Sequence, residues 1–64
     1  MIVEGVRYEI PWHRYKKGDS LFFPCLDCKA AYRQISVHLR PLKINTVHQV
    51  VIVDGIRGLR VWRI

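Results

Sequence analysis

The stretch that decides the fold is His48–Ile64, HQVVIVDGIRGLRVWRI. Val50-Val51-Ile52-Val53 is the most β-prone run in the chain, and Asp54-Gly55 after it is a hairpin turn signal. Gly58 reads as the residue that lets the turn close, so that Leu59–Ile64 returns as a second strand. A nearly continuous apolar run predicts that Val50–Val53 is the central strand of a sheet, covered on at least one side. The return strand carries Arg60, Trp62 and Arg63, with Arg57 just before it, and it has two registers. If Leu59 and Val61 face the core, Arg60, Trp62 and Ile64 point away together, and an exposed Arg–Trp pair suits stacking and phosphate contact. In the other register Trp62 and Ile64 are core, and Arg57 and Arg63 face solvent. A small domain usually spends its tryptophan inside, so the second register is preferred, with Trp62 at least partly buried and the arginines lying around it.

Upstream, the apolar period changes from two to that of a helix. Cys28, Ala31, Tyr32, Ile35, Leu39 and Leu42 follow steps of three and four, one stripe on a helix from Cys25 to about Arg40. Pro24 suits the start, Asp27 complements the positive end of the helix dipole, and Pro41 should stop the helix. At about 100° per residue, Lys29, Arg33 and Arg40 fall in one narrow sector beside the stripe, a basic edge. Charged residues are also the ordinary occupants of a helix surface.

Residues 2–10 alternate in the strand sense, with Val6, Tyr8 and Ile10 on one face and Arg7 and Glu9 on the other; Pro11 ends the run. A basic connection follows, with Arg14, Lys16 and Lys17 beside Trp12 and Tyr15 and a turn at Gly18-Asp19. Ser20–Phe23 reads as a short strand pairing with the first, of whose two phenylalanines only one can face the core. The order β-β-α-β-β predicts an α+β fold: a small antiparallel sheet with one helix packed on one face, a single domain over residues 1–64.

A 64-residue chain buries only about 60% of the surface it exposes when unfolded, so the core is small. A homodimer would suit so small a core, through an exposed edge strand. With 11 Lys and Arg against 5 Asp and Glu, the net charge is +6, which favours an anionic partner: nucleic acid, an acidic protein surface or lipid headgroups. No segment has the apolar run of a secretory signal or the length of a membrane span, which points to the cytoplasm and to no membrane partner.

Cys25-Leu26-Asp27-Cys28 is the most motif-like element. A redox role needs a βαβ context that is missing, and zinc would need two further ligands from His13, His38 and His48, none of which forms a second close pair. The simpler reading of Cys25 and Cys28 is as small hydrophobes on the core side of the helix. The carboxylates Glu4, Glu9, Asp19, Asp27 and Asp54 are scattered, no catalytic triad or phosphate loop is present, and neither an enzyme nor a cofactor is expected.

Gly18-Asp19-Ser20 with Phe22-Phe23-Pro24, a helix with basic residues, and Gly58-Leu59-Arg60-Val61-Trp62-Arg63 together resemble a group of small bacteriophage proteins that read G-x-S-F-F-x-P and end in G-x-R-V-W-R. Pro24 follows Phe23 directly here, a departure from that spacing. The resemblance runs from Gly18 onward. It implies a phage origin and the cytoplasm of an infected bacterium, and it transfers no functional residues. The function expected is nucleic-acid binding, mainly through phosphates, by Arg14, Lys16, Lys17, Lys29, Arg33, Arg40, Arg57, Arg60, Trp62 and Arg63. The alternative is a host-directed protein that binds an acidic surface of a bacterial enzyme or defence complex.

Overall fold

In a computed structural model describing residues 1–64, one helix and five short antiparallel strands form two small sheets. β1 (Ile2–Val3) and β2 (Val6–Arg7) make a miniature hairpin; β3 (Ser20–Pro24), β4 (Thr46–Val53) and β5 (Ile56–Arg63) make the main sheet, in the order β3-β5-β4. The helix, α1, spans Cys28–Leu39.

The fold is α+β as expected, but the pairing differs. Residues 2–10 are not one strand. Glu4 and Gly5 take positive φ, 49° and 80°, and reverse the chain between β1 and β2. β3 therefore pairs with β5 rather than with the N-terminal segment. This makes β5 the central strand and leaves β4, the more apolar arm, on an edge. Centrality follows from which strand has a partner on both sides, and a run of valines does not decide that. The turn is Asp54-Gly55 alone, φ 50° and 77°, joining Val53 directly to Ile56. Gly58 has no part in it and lies inside β5, opposite Pro24 and Val51.

Asp27 caps α1: its side chain accepts from the Ala30 N–H at 3.1 Å, satisfying one of the donors a helix start leaves free. The helix thus begins at Cys28 and not at Cys25, and Pro24 closes β3 instead of opening the helix. Ala31, Ile35 and Leu39 are buried, as the stripe predicts, while Leu42 lies beyond the helix end and is exposed. The stripe meets Phe23, Leu59 and Val61 from the sheet and Val3 from the miniature hairpin. Full burial of side chains such as Phe23, Ile35 and Leu59 stabilises by roughly 1.5–3 kcal/mol each.

Two polar contacts fix the segments that have little apolar surface. The Glu4 carboxylate accepts from the Leu26 and Asp27 N–H groups, both at 2.7 Å, pinning the β1–β2 turn to the approach of α1. Tyr15 is buried, and its hydroxyl donates to the Val61 carbonyl at 2.8 Å, tying the basic connection to the middle of the sheet.

Candidate nucleic-acid interface

Strand alternation sorts the residues of β5 between two faces. Leu59 and Val61 are buried under α1, with Arg57 and Arg63 on the same side at the two ends. Gly58, Arg60 and Trp62 lie on the face away from the helix. The register adds Ser20 and Phe22 from β3 and Val47, Gln49 and Val51 from β4 to that face. Trp62 is thus half-buried on the open face rather than turned into the core, and the preferred register is corrected. Leu59 and Val61 fit the narrow space against Ala31 and Ile35, and alternation then sends Trp62 the other way.

Gly58 is what makes this face flat. A Cβ there would lie 2.7 Å from the Phe22 ring and 2.6 Å from the Phe23 carbonyl oxygen. The Phe22 ring therefore rests over the bare backbone of β5. Arg60 lies above that ring with its guanidinium carbon 5.6 Å from the ring centre, and its Nη1 donates to Ser20 Oγ at 2.8 Å. The stack and the hydrogen bond hold the guanidinium plane while leaving it partly exposed.

The backbone that carries Lys16 and Lys17, both exposed, comes to the Trp62 end of the main sheet. Gly18 N–H donates to the Arg63 carbonyl at 2.7 Å and Arg63 N–H to the Asp19 carbonyl at 2.9 Å, so the connection continues the β3–β5 ladder past Ser20. Lys16 N–H also donates to the Asp19 carboxylate at 2.9 Å, which shapes the turn. Arg14 lines a shallow cleft beside Asp19, Ser20 and Leu21.

The remaining predicted cations stand elsewhere. Lys29, Arg33 and Arg40 are exposed on α1, across the sheet from Trp62. Arg57 donates from Nη1 to the Leu26 carbonyl at 3.3 Å near the hairpin turn, and Arg63 donates to the Tyr15 carbonyl. The structure thus puts Arg60 and Trp62 on one face, brings the Lys16–Lys17 connection to the Trp62 end of that sheet, and leaves the helix edge as a separate basic surface.

The acids do little to neutralise these cations. Arg7–Glu9, 3.2 Å and solvent-exposed, is the sole ion pair. The carboxylates of Glu4, Asp19 and Asp27 are instead taken up by backbone N–H groups. Apart from Arg7, no cation is ion-paired to a carboxylate.

Cys25 and Cys28 sit with sulfurs 3.1 Å apart, Cys25 buried and Cys28 half-buried. Burial first, then the hydrogen bond to Cys28, push the Cys25 thiol up to about 12. A thiol held protonated at neutral pH is a poor nucleophile and a poor metal ligand. No cluster of three or more His, Cys, Asp and Glu side chains offers a metal site. His48, for which the sequence suggests no partner, stacks on Tyr32 of α1 with ring centres 3.6 Å apart.

Phe22, Ser20 and Gly58, which hold Arg60 in place, are among the members of this face that the sequence reading does not name as site residues. The signal was the alternation Gly58-Arg60-Trp62 set against Ser20-Phe22. Comparison with family models, with curated proteins and with solved structures found no match. No helix is long and apolar enough to cross a membrane.

Proposed function

We propose that this protein binds nucleic acid on the open face of its main sheet. The observation that carries this reading is the pair Arg60, held over Phe22, and Trp62 on the face that α1 does not cover, with the Lys16–Lys17 connection at the Trp62 end of the same sheet. A flat aromatic and guanidinium surface accepts the π-face of any base, and the two lysines meet phosphates. Stacking of this kind needs unpaired bases, so single-stranded DNA or RNA is the favoured ligand, with little sequence readout. The infected bacterial cytoplasm implied by the phage-type motifs would be the setting.

The test is fluorescence anisotropy with a labelled oligonucleotide across a salt series. Two phosphate-facing cations, Lys16 and Lys17, at about −0.7 each give a slope of log K on log salt of about −1.4. Trp62→Ala should lose a stacked base, about 1–3 kcal/mol, or roughly five- to 150-fold in affinity. A flat salt response, or a Trp62→Ala variant that folds and binds as wild type, would contradict the reading.

A further inference from the structure

We propose that β4 is a self-pairing edge, through which a second copy of this chain extends the three-stranded sheet into a continuous six-stranded one. This inference goes beyond nucleic-acid binding and stands without it.

The two edges of the main sheet are built differently. β3 has five residues and ends in Pro24, which has no N–H to donate. β4 has eight residues and is paired on one side only. It contains no Lys, Arg, Asp, Glu or Pro, the residues with which sheets usually guard an edge. In a two-residue hairpin Val53 and Ile56 form the hydrogen-bonded pair at the turn, and alternation then points the N–H and C=O of Thr46, His48, Val50 and Ile52 outward. None of the backbone hydrogen bonds outside the helix and strand ladders uses the N–H or C=O of His48, Val50 or Ile52. Val47, Val50 and Ile52 are also 49%, 45% and 71% exposed, so the strand is partly open on both faces as well as along its edge, with His48 and Thr46 held against Tyr32.

The charge pattern favours a second copy as the occupant. Two chains of net charge +6 repel one another, and that repulsion is least where neither presents a cation. β4 is such a place, flanked by Lys43 before it and Asp54 after it. An antiparallel, two-fold pairing with Val50 on the axis sets Val50 against Val50 and His48 against Ile52. It sets Asp54 of each copy opposite Thr46 of the other, where no like charge stands on the strand. A two-fold interface of this kind is self-complementary by construction. Both open faces then lie on the same side of one sheet.

Amide hydrogen exchange without nucleic acid tests this. In a monomer the amides of Val47, Gln49, Val51 and Val53 are protected by β5, and those of His48, Val50 and Ile52 exchange freely. In the dimer all of these are protected, and the second set loses protection on dilution. Val50→Pro removes an outward N–H and leaves the β5 ladder intact, and the variant should sediment as a monomer where wild type is a dimer. Should Val50→Pro fail to fold, the exchange pattern of wild type decides alone. Wild type that sediments as a monomer up to millimolar concentration, with alternating protection along β4, overturns the proposal and leaves the edge open to another partner. So does a folded Val50→Pro variant that remains dimeric.

Discussion

Gly58→Ala is the substitution whose cost can be worked most directly from the structure. Gly58 has no positive φ, so alanine meets no backbone strain of the left-handed kind. Its difficulty is space. The new methyl group would lie 2.6 Å from the Phe23 carbonyl oxygen and 2.7 and 2.8 Å from two carbons of the Phe22 ring. The ring can swing away, although it then gives up its place under Arg60. The carbonyl belongs to β3, and moving it strains the β3–β5 ladder beside Leu59. Forcing a methyl group into a filled space costs typically 1–3 kcal/mol. A 64-residue domain holds only about 3–10 kcal/mol of stability in all, so this is a large share. At about 4–8 °C per kcal/mol, the melting temperature should fall by roughly 5–20 °C. The assay is thermal and urea unfolding followed by circular dichroism. Phe22→Ala combined with Gly58→Ala should recover only part of the loss, because the Phe23 carbonyl remains in the way. If Gly58→Ala unfolds within about 0.5 kcal/mol of wild type, an ordinary surface effect, then Gly58 does not lie beneath Phe22 and the flat face is wrongly built.

Three further outcomes follow from named contacts. Stability should fall as pH rises from about 9 toward 12: the unfolded Cys25 thiol ionises near its usual value while the folded one stays protonated to about 12, so the unfolded state binds fewer protons across that window. The slope in urea unfolding should reach at most about 1.4 kcal/mol per pH unit from this group, with Tyr15, raised by burial, adding in the same direction, and a flat profile would count against the buried thiol. Glu4→Ala removes the acceptor of the Leu26 and Asp27 N–H groups and should destabilise by about 1 kcal/mol, as the loss of a helix cap does, measured by urea unfolding; Glu4→Gln should recover part of it. If the partner is nucleic acid rather than an acidic protein, nuclease treatment of a bacterial lysate should abolish capture of its components, and protein partners that survive it would favour the alternative.

The parts of the fold that depend on near neighbours in sequence were legible. The Ala31–Ile35–Leu39 spacing marks the buried side of α1, Asp27 and Pro41 mark its ends, and Asp54-Gly55 marks the hairpin. What was not legible depends on long-range pairing. The run Val50–Val53 looks like a buried strand, but its position on an edge is decided by β3 reaching β5, some forty residues away in sequence. Glu4-Gly5 carries a weak turn signal, and the reversal is held in part by Glu4 reaching Leu26 and Asp27. For the candidate site, the alternation in β5 was readable and left two registers. Trp62 is partly buried, as expected of a tryptophan, but on the open face, because Leu59 and Val61 fill the core side of β5 under α1. That Lys16 and Lys17 join Trp62 at one end of the sheet follows from the ladder between Arg63 and the Gly18-Asp19 turn, which no local pattern announces.

The most direct measurement is an NMR titration of the labelled protein with a short single-stranded oligonucleotide. Shift changes should centre on Phe22, Arg60, Trp62, Val47 and Gln49, with Lys16 and Lys17 at the margin and α1 silent. Changes centred instead on Lys29, Arg33 and Arg40, or none at all at low salt, would contradict the account.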